Sequence, residues 1–405
     1  MPQASTTVPQ AAPEVELPGR PDLWIRGTYW WAFGAIGTLT PFIAPYYNEL
    51  GFSGTQIGIL VALPAMGVAF FAPIWGAIAD SRANHRFVLR AALLIPAMLA
   101  LVLTQLQGFW PIFLVVAILA LLYAPTAPLI DSYGLMISER RKKSYGSLRV
   151  WGSLGFTAAV FVVGELMGAD VTTLFLLAYS ACLLLACAST FRLPRLSERS
   201  AGPLWGGLGA VTRNKPLVAL LLTTFLISSS ASAMYAFLSI HLREMGGSAE
   251  LIGRAFALNA ASELPVVAFG AWFLSRLGST RLLGLAIVVY IIRFVAYALI
   301  PDPEWVLPVQ LLHGLSYGAF LMASVTLVHG LAGRELAATA QGLLTSMSFG
   351  FGSISGSLVG GALLDRVGTV GIFWTAAGVL TLTLGVYVVT VQRFHLGDVR
   401  TTGAG

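Results

Sequence analysis

Twelve runs of roughly twenty predominantly apolar residues, separated by charged or Gly/Pro breaks, constrain this chain more than any other feature. A run of that length spans the hydrocarbon core as a helix, because each backbone polar group must find its partner within the segment. The runs fall near residues 24–47, 56–79, 87–107, 110–137, 148–169, 172–191, 216–240, 251–275, 281–300, 305–330, 337–361 and 370–391. Only 10% of the 405 residues are charged, against about a quarter in soluble chains. A soluble enzyme, a nucleic-acid binder and a secreted disulfide scaffold are therefore excluded. The expected fold class is an all-α membrane protein embedded in a lipid bilayer.

The net charge of +6 is distributed as a topology signal. Arg82, Arg86, Arg140, Arg141, Lys142, Lys143, Arg192, Arg195, Arg199, Arg213, Lys215, Arg276 and Arg281 fall on one side of the predicted spans, with the terminal residues Arg20, Arg26, Arg393 and Arg400. The opposite loops carry Glu49, Asp170, Asp302 and Glu304. The basic side is expected to face the cytoplasm, with both termini inside a plasma or inner membrane. The first residues are rich in proline and lack an apolar core, which reads as a tail rather than a cleaved signal. The expected division is a disordered cytoplasmic tail over 1–22, a six-helix bundle over 23–191, a cytoplasmic linker over 192–215, a second six-helix bundle over 216–392 and a tail over 393–405.

The two halves repeat. Glu49-Leu-Gly-Phe-Ser-Gly-Thr-Gln-Ile-Gly58 recurs 195 positions later as Glu244-Met-Gly-Gly-Ser-Ala-Glu-Leu-Ile-Gly253, each between the first and second spans of its half. This pattern predicts a duplicated transporter half, with a site near the membrane midplane. Gly352, Gly356 and Gly360 form a small-residue ladder, read as close helix packing. The same reading applies to Ser228, Ser229, Ser230 and Ser232.

Ionisable groups within spans cost about 2.5–3.5 kcal/mol each on insertion scales, so each needs a partner, a wet cavity or a function. Five stand out: Asp131, Arg149, Glu263, Arg293 and His313. Asp131 and Arg149 lie nine residues either side of Arg140, which puts both about 13 Å from the hairpin tip and allows them to pair. A buried pair that merely joins two helices is the plainer alternative. Arg293 and His313 lie ten residues either side of Pro303 and share a depth, and Glu263 reaches a similar level. Cys182 and Cys187 sit five apart in one run and support neither a disulfide nor a metal site. No cofactor or metal is expected.

Ala127-Pro-Leu-Ile-Asp131 and Tyr145-Gly-Ser-Leu-Arg149-Val-Trp-Gly-Ser-Leu-Gly-Phe156 resemble the lactose-permease group of the major facilitator superfamily, and its phenylpropionate-transporter-like branch more closely still. The resemblance implies two pseudo-symmetric six-helix bundles and a substrate site at Asp131, Arg149 and Phe156. Phe156 stands where the permease stacks a tryptophan on sugar. Arg293 and His313 match the permease's arginine and histidine. Its lysine before and proton-carrying glutamate after that histidine are replaced by Gln310 and Ser316. Glu263, in Glu263-Leu-Pro265, resembles the acid-x-proline signature of the branch and is the replacement candidate, with Arg293 and His313, for proton coupling. Gly76, Asp80, Arg82 and Arg86 resemble the superfamily's gating motif between the second and third helices.

The expected function is proton-coupled symport of a small polar or anionic solute, such as a sugar or an aromatic carboxylic acid, by alternating access. The partners are that solute and a proton, with no nucleic acid, and the chain is expected to act as a monomer. Two alternatives stay open: a proton-coupled multidrug or metabolite efflux antiporter, and a non-transporting receptor on the same fold. No nucleophile–base pair or P-loop can be assembled, so enzymatic and ATP-driven roles are not expected.

Overall fold

The structure, a computed structural model, describes residues 20–81, 84–196 and 208–395. Most of both tails, the centre of the linker and Arg82 of the gating motif lie outside the described residues. Twelve long helices run in chain order: α1 Pro21–Glu49, α2 Gly54–Ala79, α3 His85–Leu103, α4 Phe109–Arg140, α5 Tyr145–Met167, α6 Leu174–Arg192, α7 Lys215–Glu244, α8 Ala249–Ala268, α9 279–299, α10 306–332, α11 336–367 and α12 369–394. No strand occurs among the described residues.

The number of helices long and apolar enough to cross a bilayer makes the chain a multi-pass membrane protein. A short helical segment over 270–277 follows α8, and the turns at residues 278, 333 and 368 are so tight that the helical segments on either side run almost end to end. Each is made by a glycine at φ near +70°, a conformation glycine takes without the Cβ penalty of other residues. Pro41 and Pro45 in α1, Pro64 in α2, Pro96 in α3 and Pro265 in α8 sit inside helices, which buried spans tolerate when neighbours satisfy the freed carbonyls.

The repeat seen in sequence is a structural repeat. Gly51 and Gly246 both adopt positive φ, at +80° and +88°, just past the ends of α1 and α7. Ser53 and Ser248 then cap α2 and α8, accepting from Gln56 N at 3.2 Å and Leu251 N at 3.0 Å. One turn further, Gly58 and Gly253 are points of close approach between the halves. A Cβ on Gly253 would lie 2.8 Å from Gly164 Cα of α5, and one on Gly58 would lie 3.0 Å from Gly361 Cα of α11. Thus α2 packs on α11 and α5 on α8, across the two halves.

Within each half, small residues let the inner helices approach. Gly37 of α1 faces Phe156 of α5, where a Cβ would come 2.6 Å from the Phe156 carbonyl oxygen. The ladder at Gly352, Gly356 and Gly360 packs α11 on α7, as the spacing suggests. The serine run meets it, with Ser229 Oγ 2.9 Å from Ser355 Oγ and Ser232 Oγ donating to Ser353 Oγ at 3.2 Å. Gly37→Val is expected to destabilise the first half by about 1–3 kcal/mol through overpacking against backbone that cannot yield. A lower melting temperature in detergent checks it.

Candidate functional site

A cavity of about 1110 Å³ lies between the halves. Phe33, Phe156, Tyr235, Tyr290 and Tyr317 are among its aromatic lining, and Arg149, Glu263 and His313 are its ionisable side chains apart from tyrosines. The lining reaches Gly146, within a turn of the basic-loop end of α5, and also Tyr47, Leu103 and Leu176, within a turn of the acidic-loop ends of α1, α3 and α6. On the acidic-loop face the two seams at Gly58 and Gly253 hold the halves together.

Arg149 is presented by α5 with its guanidinium carbon 3.9 Å from the Phe33 ring centroid and 5.6 Å from that of Tyr29, a cation–π cradle. Asp131 pairs with it loosely, Nε to Oδ1 at 3.7 Å. The same Oδ1 accepts two shorter hydrogen bonds, from Tyr29 Oη at 2.8 Å and Tyr145 Oη at 2.9 Å. Asp131 is not part of the cavity wall. Its carboxylate is therefore held by two tyrosines behind the arginine, leaving most of the guanidinium donors for the cavity. Phe156 stands on the wall as expected, one side of its backbone against Gly37.

The second half separates the groups read together in sequence. Arg293 is fully buried, and NH1 donates to His313 Nδ1 at 3.2 Å and Ser316 Oγ at 2.7 Å. NH2 donates to Tyr297 Oη at 2.9 Å and Gln310 Oε1 at 3.2 Å. Gln310 Oε1 also accepts from Asn259 Nδ2 at 2.9 Å and Tyr297 Oη at 3.0 Å. No ion pair reaches Arg293 among the described residues, and no bond joins it or His313 to Glu263. A guanidinium only donates, so His313 Nδ1 is the acceptor and the ring proton sits on Nε2. His313 also stacks on Tyr317, with centroids 5.2 Å apart, at the start of a π-helical turn over Gly314–Gly318. Glu263 stands apart on the α8 wall, half-buried and facing the same space as Arg149.

At the gating motif, a Cβ on Gly76 would meet nothing within 4 Å, so no helix approaches closely at that glycine in this conformation. Arg86 Nε donates to Pro194 O at 3.2 Å, just past the end of α6. Arg90 is tied to α6, donating to Thr190 Oγ1 at 3.3 Å, with its guanidinium carbon 4.1 Å from the Phe191 ring centroid. Phe33, Tyr29, Tyr145, Asn259 and Tyr297 received no role from sequence. Their one legible signal is Tyr145, which opens the segment containing Arg149.

The sequence profile of the MFS_1 like family matches residues 23–375. The chain belongs to this family of the major facilitator superfamily. Maltose permease of Geobacillus stearothermophilus is 33% identical over 364 residues, covering 88% of this chain and 92% of the permease. Nucleoside permease NupG of Escherichia coli (strain K12) is 25% identical over 355 residues, covering 81% of this chain and 84% of NupG. A probable 3-phenylpropionic acid transporter of the same strain is 23% identical over 372 residues, covering 87% and 94%. The crystal structure of NupG superposes with a TM-score of 0.83 at 20% identity, covering 92% of this chain and all of that one, and establishes the shared fold. This MFS_1 like protein is a transporter of a small molecule, not an enzyme.

Removing the Tyr145 hydroxyl should release Asp131 toward Arg149. Tyr145→Phe is expected to weaken substrate binding by roughly tenfold, about 1.4 kcal/mol, the size of one hydrogen bond to a charged group. Half-saturation of substrate exchange in proteoliposomes measures it.

Proposed function

We propose that this protein takes up a neutral glycoside of about disaccharide size in symport with a proton, alternating a single central cavity between the two sides. The observation that carries this reading is that Arg149 and Glu263, one from each half, line the same cavity amid aromatic rings. Arg149 is already balanced by Asp131, and Glu263 is neutral once it has taken a proton, so the loaded site favours a substrate without net charge. The aromatic walls suit the apolar faces of sugar rings, and the volume sits at the upper end of the range for small-molecule sites. The similarity to maltose permease supports the same class.

Arg149 grips hydroxyls with its forked donors, Phe156 supplies a stacking surface, and His313 adds an Nε2–H donor at the wall. Asp131 holds Arg149 in place from behind. Glu263 carries the proton, since it is the acid on the cavity wall and can change charge as the site alternates. Arg293 fixes the tautomer of His313 from within the bundle. The basic-loop face is cytoplasmic, the acidic-loop face extracellular, and the conformation described is open toward the cytoplasm. The chain works as a monomer.

Proteoliposomes with an imposed proton gradient test the reading. Uptake of a disaccharide with alkalinisation of the outer medium is expected. Acid release during export would favour antiport, stabilisation by aromatic carboxylates alone would overturn the neutral substrate, and the absence of any flux would favour a receptor.

A further inference from the structure

The extracellular seams share a device that neither the cavity nor the gating motif uses. The first turn of a helix leaves its N–H groups without intrahelical partners. At the start of α2, Gly54 N donates to Asp365 Oδ1 at 2.6 Å, while Thr55 N and Thr55 Oγ1 donate to Asp365 Oδ2 at 2.8 and 2.6 Å. Asp365 belongs to α11, in the other half. At the repeat-related start of α8, Ala249 N donates to Ala169 O at 3.3 Å and Glu250 N to Gly168 O at 3.0 Å, at the end of α5. Both helix starts are thus capped from across the molecule, in addition to their own Ser53 and Ser248.

The two seams differ in what can be removed. The α8 seam rests on main-chain carbonyls, reinforced by Arg254 Nε to Glu165 Oε1 at 2.7 Å. Nearby, Arg243 donates to Ala169 O at 2.7 Å and to Glu49 and Asp170, each at 3.2 Å. At the α2 seam one carboxylate accepts all three bonds, and its negative charge sits at the positive end of the helix dipole. Gly54 and Gly58 allow this approach, because a Cβ on Gly54 would lie 2.9 Å from Asp365 Oδ1.

We propose that Asp365 is a working residue of the transport cycle, a latch by which α11 holds the start of α2 and keeps the extracellular face shut while the cavity opens inward. Alternation requires the two halves to part on this face, so these three bonds break and reform in every cycle. The groups involved are largely solvent-exposed, so water replaces the lost partners and the latch stays reversible. The inference rests on the proposed orientation and alternation, and not on the identity of substrate or coupling ion.

The test uses Ile43→Cys, on the cavity wall toward the extracellular end of α1, in a chain carrying Cys182→Ser and Cys187→Ala. Intact cells and inside-out vesicles are treated with a charged, membrane-impermeant maleimide. Asp365→Ala is expected to raise the labelling rate from outside at least fivefold and to lower it from inside. Thr55→Val, which keeps both backbone donors and loses one hydroxyl, is expected to raise the outside rate two- to threefold. It serves alone if the alanine variant does not insert. Unchanged outside rates, or rates raised equally from both sides as in a loosened protein, overturn the latch. A gain confined to inside-out vesicles overturns the orientation, and with it the extracellular latch, while the expected labelling pattern together with failed sugar uptake would count against the proposed substrate alone.

Discussion

Arg149→Lys is expected to weaken substrate binding at least a hundredfold, about 2.7 kcal/mol, without lowering the melting temperature. The guanidinium carbon lies 3.9 Å from the Phe33 ring centroid, near Tyr29, and its Nε is only 3.7 Å from an acid whose oxygen is already engaged by two tyrosines. A planar fork can stack on the ring and still present parallel donors to a pair of hydroxyls. An ammonium can do one or the other from a different position, and it is more strongly hydrated. Substrate-exchange kinetics and thermal unfolding, measured on the same preparation, separate affinity from folding. Retained affinity would remove Arg149 from the binding role.

Glu263→Gln is expected to abolish uphill accumulation while leaving exchange of substrate across the membrane near the native rate. Glutamine keeps the shape and polarity of the protonated acid but cannot lose a proton. A carrier locked in that state still alternates with substrate bound, yet cannot couple the movement to a gradient. Comparing gradient-driven uptake with counterflow in proteoliposomes distinguishes the two steps. Normal accumulation would show that another group carries the proton. The arrangement of the second half makes this a sharp test. Arg293 keeps His313 Nδ1 occupied as an acceptor, and its other partners Gln310, Ser316 and Tyr297 are hydrogen-bonded to it within the bundle.

Much of the architecture was legible because membrane spans obey a rule that acts residue by residue. An apolar run of sufficient length must be helical in lipid, whatever surrounds it, and the twelve runs read from sequence overlap the twelve helices one for one, with the largest end differences at α8, which stops at Ala268, and α11, which runs on to 367. The duplicated segment was visible for a similar reason. Its glycine turn and serine cap are local devices, so they leave the same letters in both copies. The depth of Asp131 and Arg149 also followed from counting along a regular helix, and the pair does meet.

What counting could not supply was rotation and partner choice. Glu263, Arg293 and His313 share a depth, yet Arg293 is enclosed within its bundle while Glu263 faces the cavity. That difference depends on how α8, α9 and α10 turn about their axes when packed. Likewise, the tyrosines that hold Asp131 come from α1 and α5, and nothing in the local sequence of α4 names them.

By itself, the sequence determined that this chain lies in a bilayer as two related sets of six helices, and which ionisable groups sit within them, because hydrophobic length and repeat are properties of contiguous residues. Only the tertiary structure decided that Arg149 and Glu263 share a cavity and that Asp365 reaches the start of α2, 310 residues away in the chain. Those relations arise where two separately folded halves meet, and no interaction between neighbours in sequence encodes the distance across that gap.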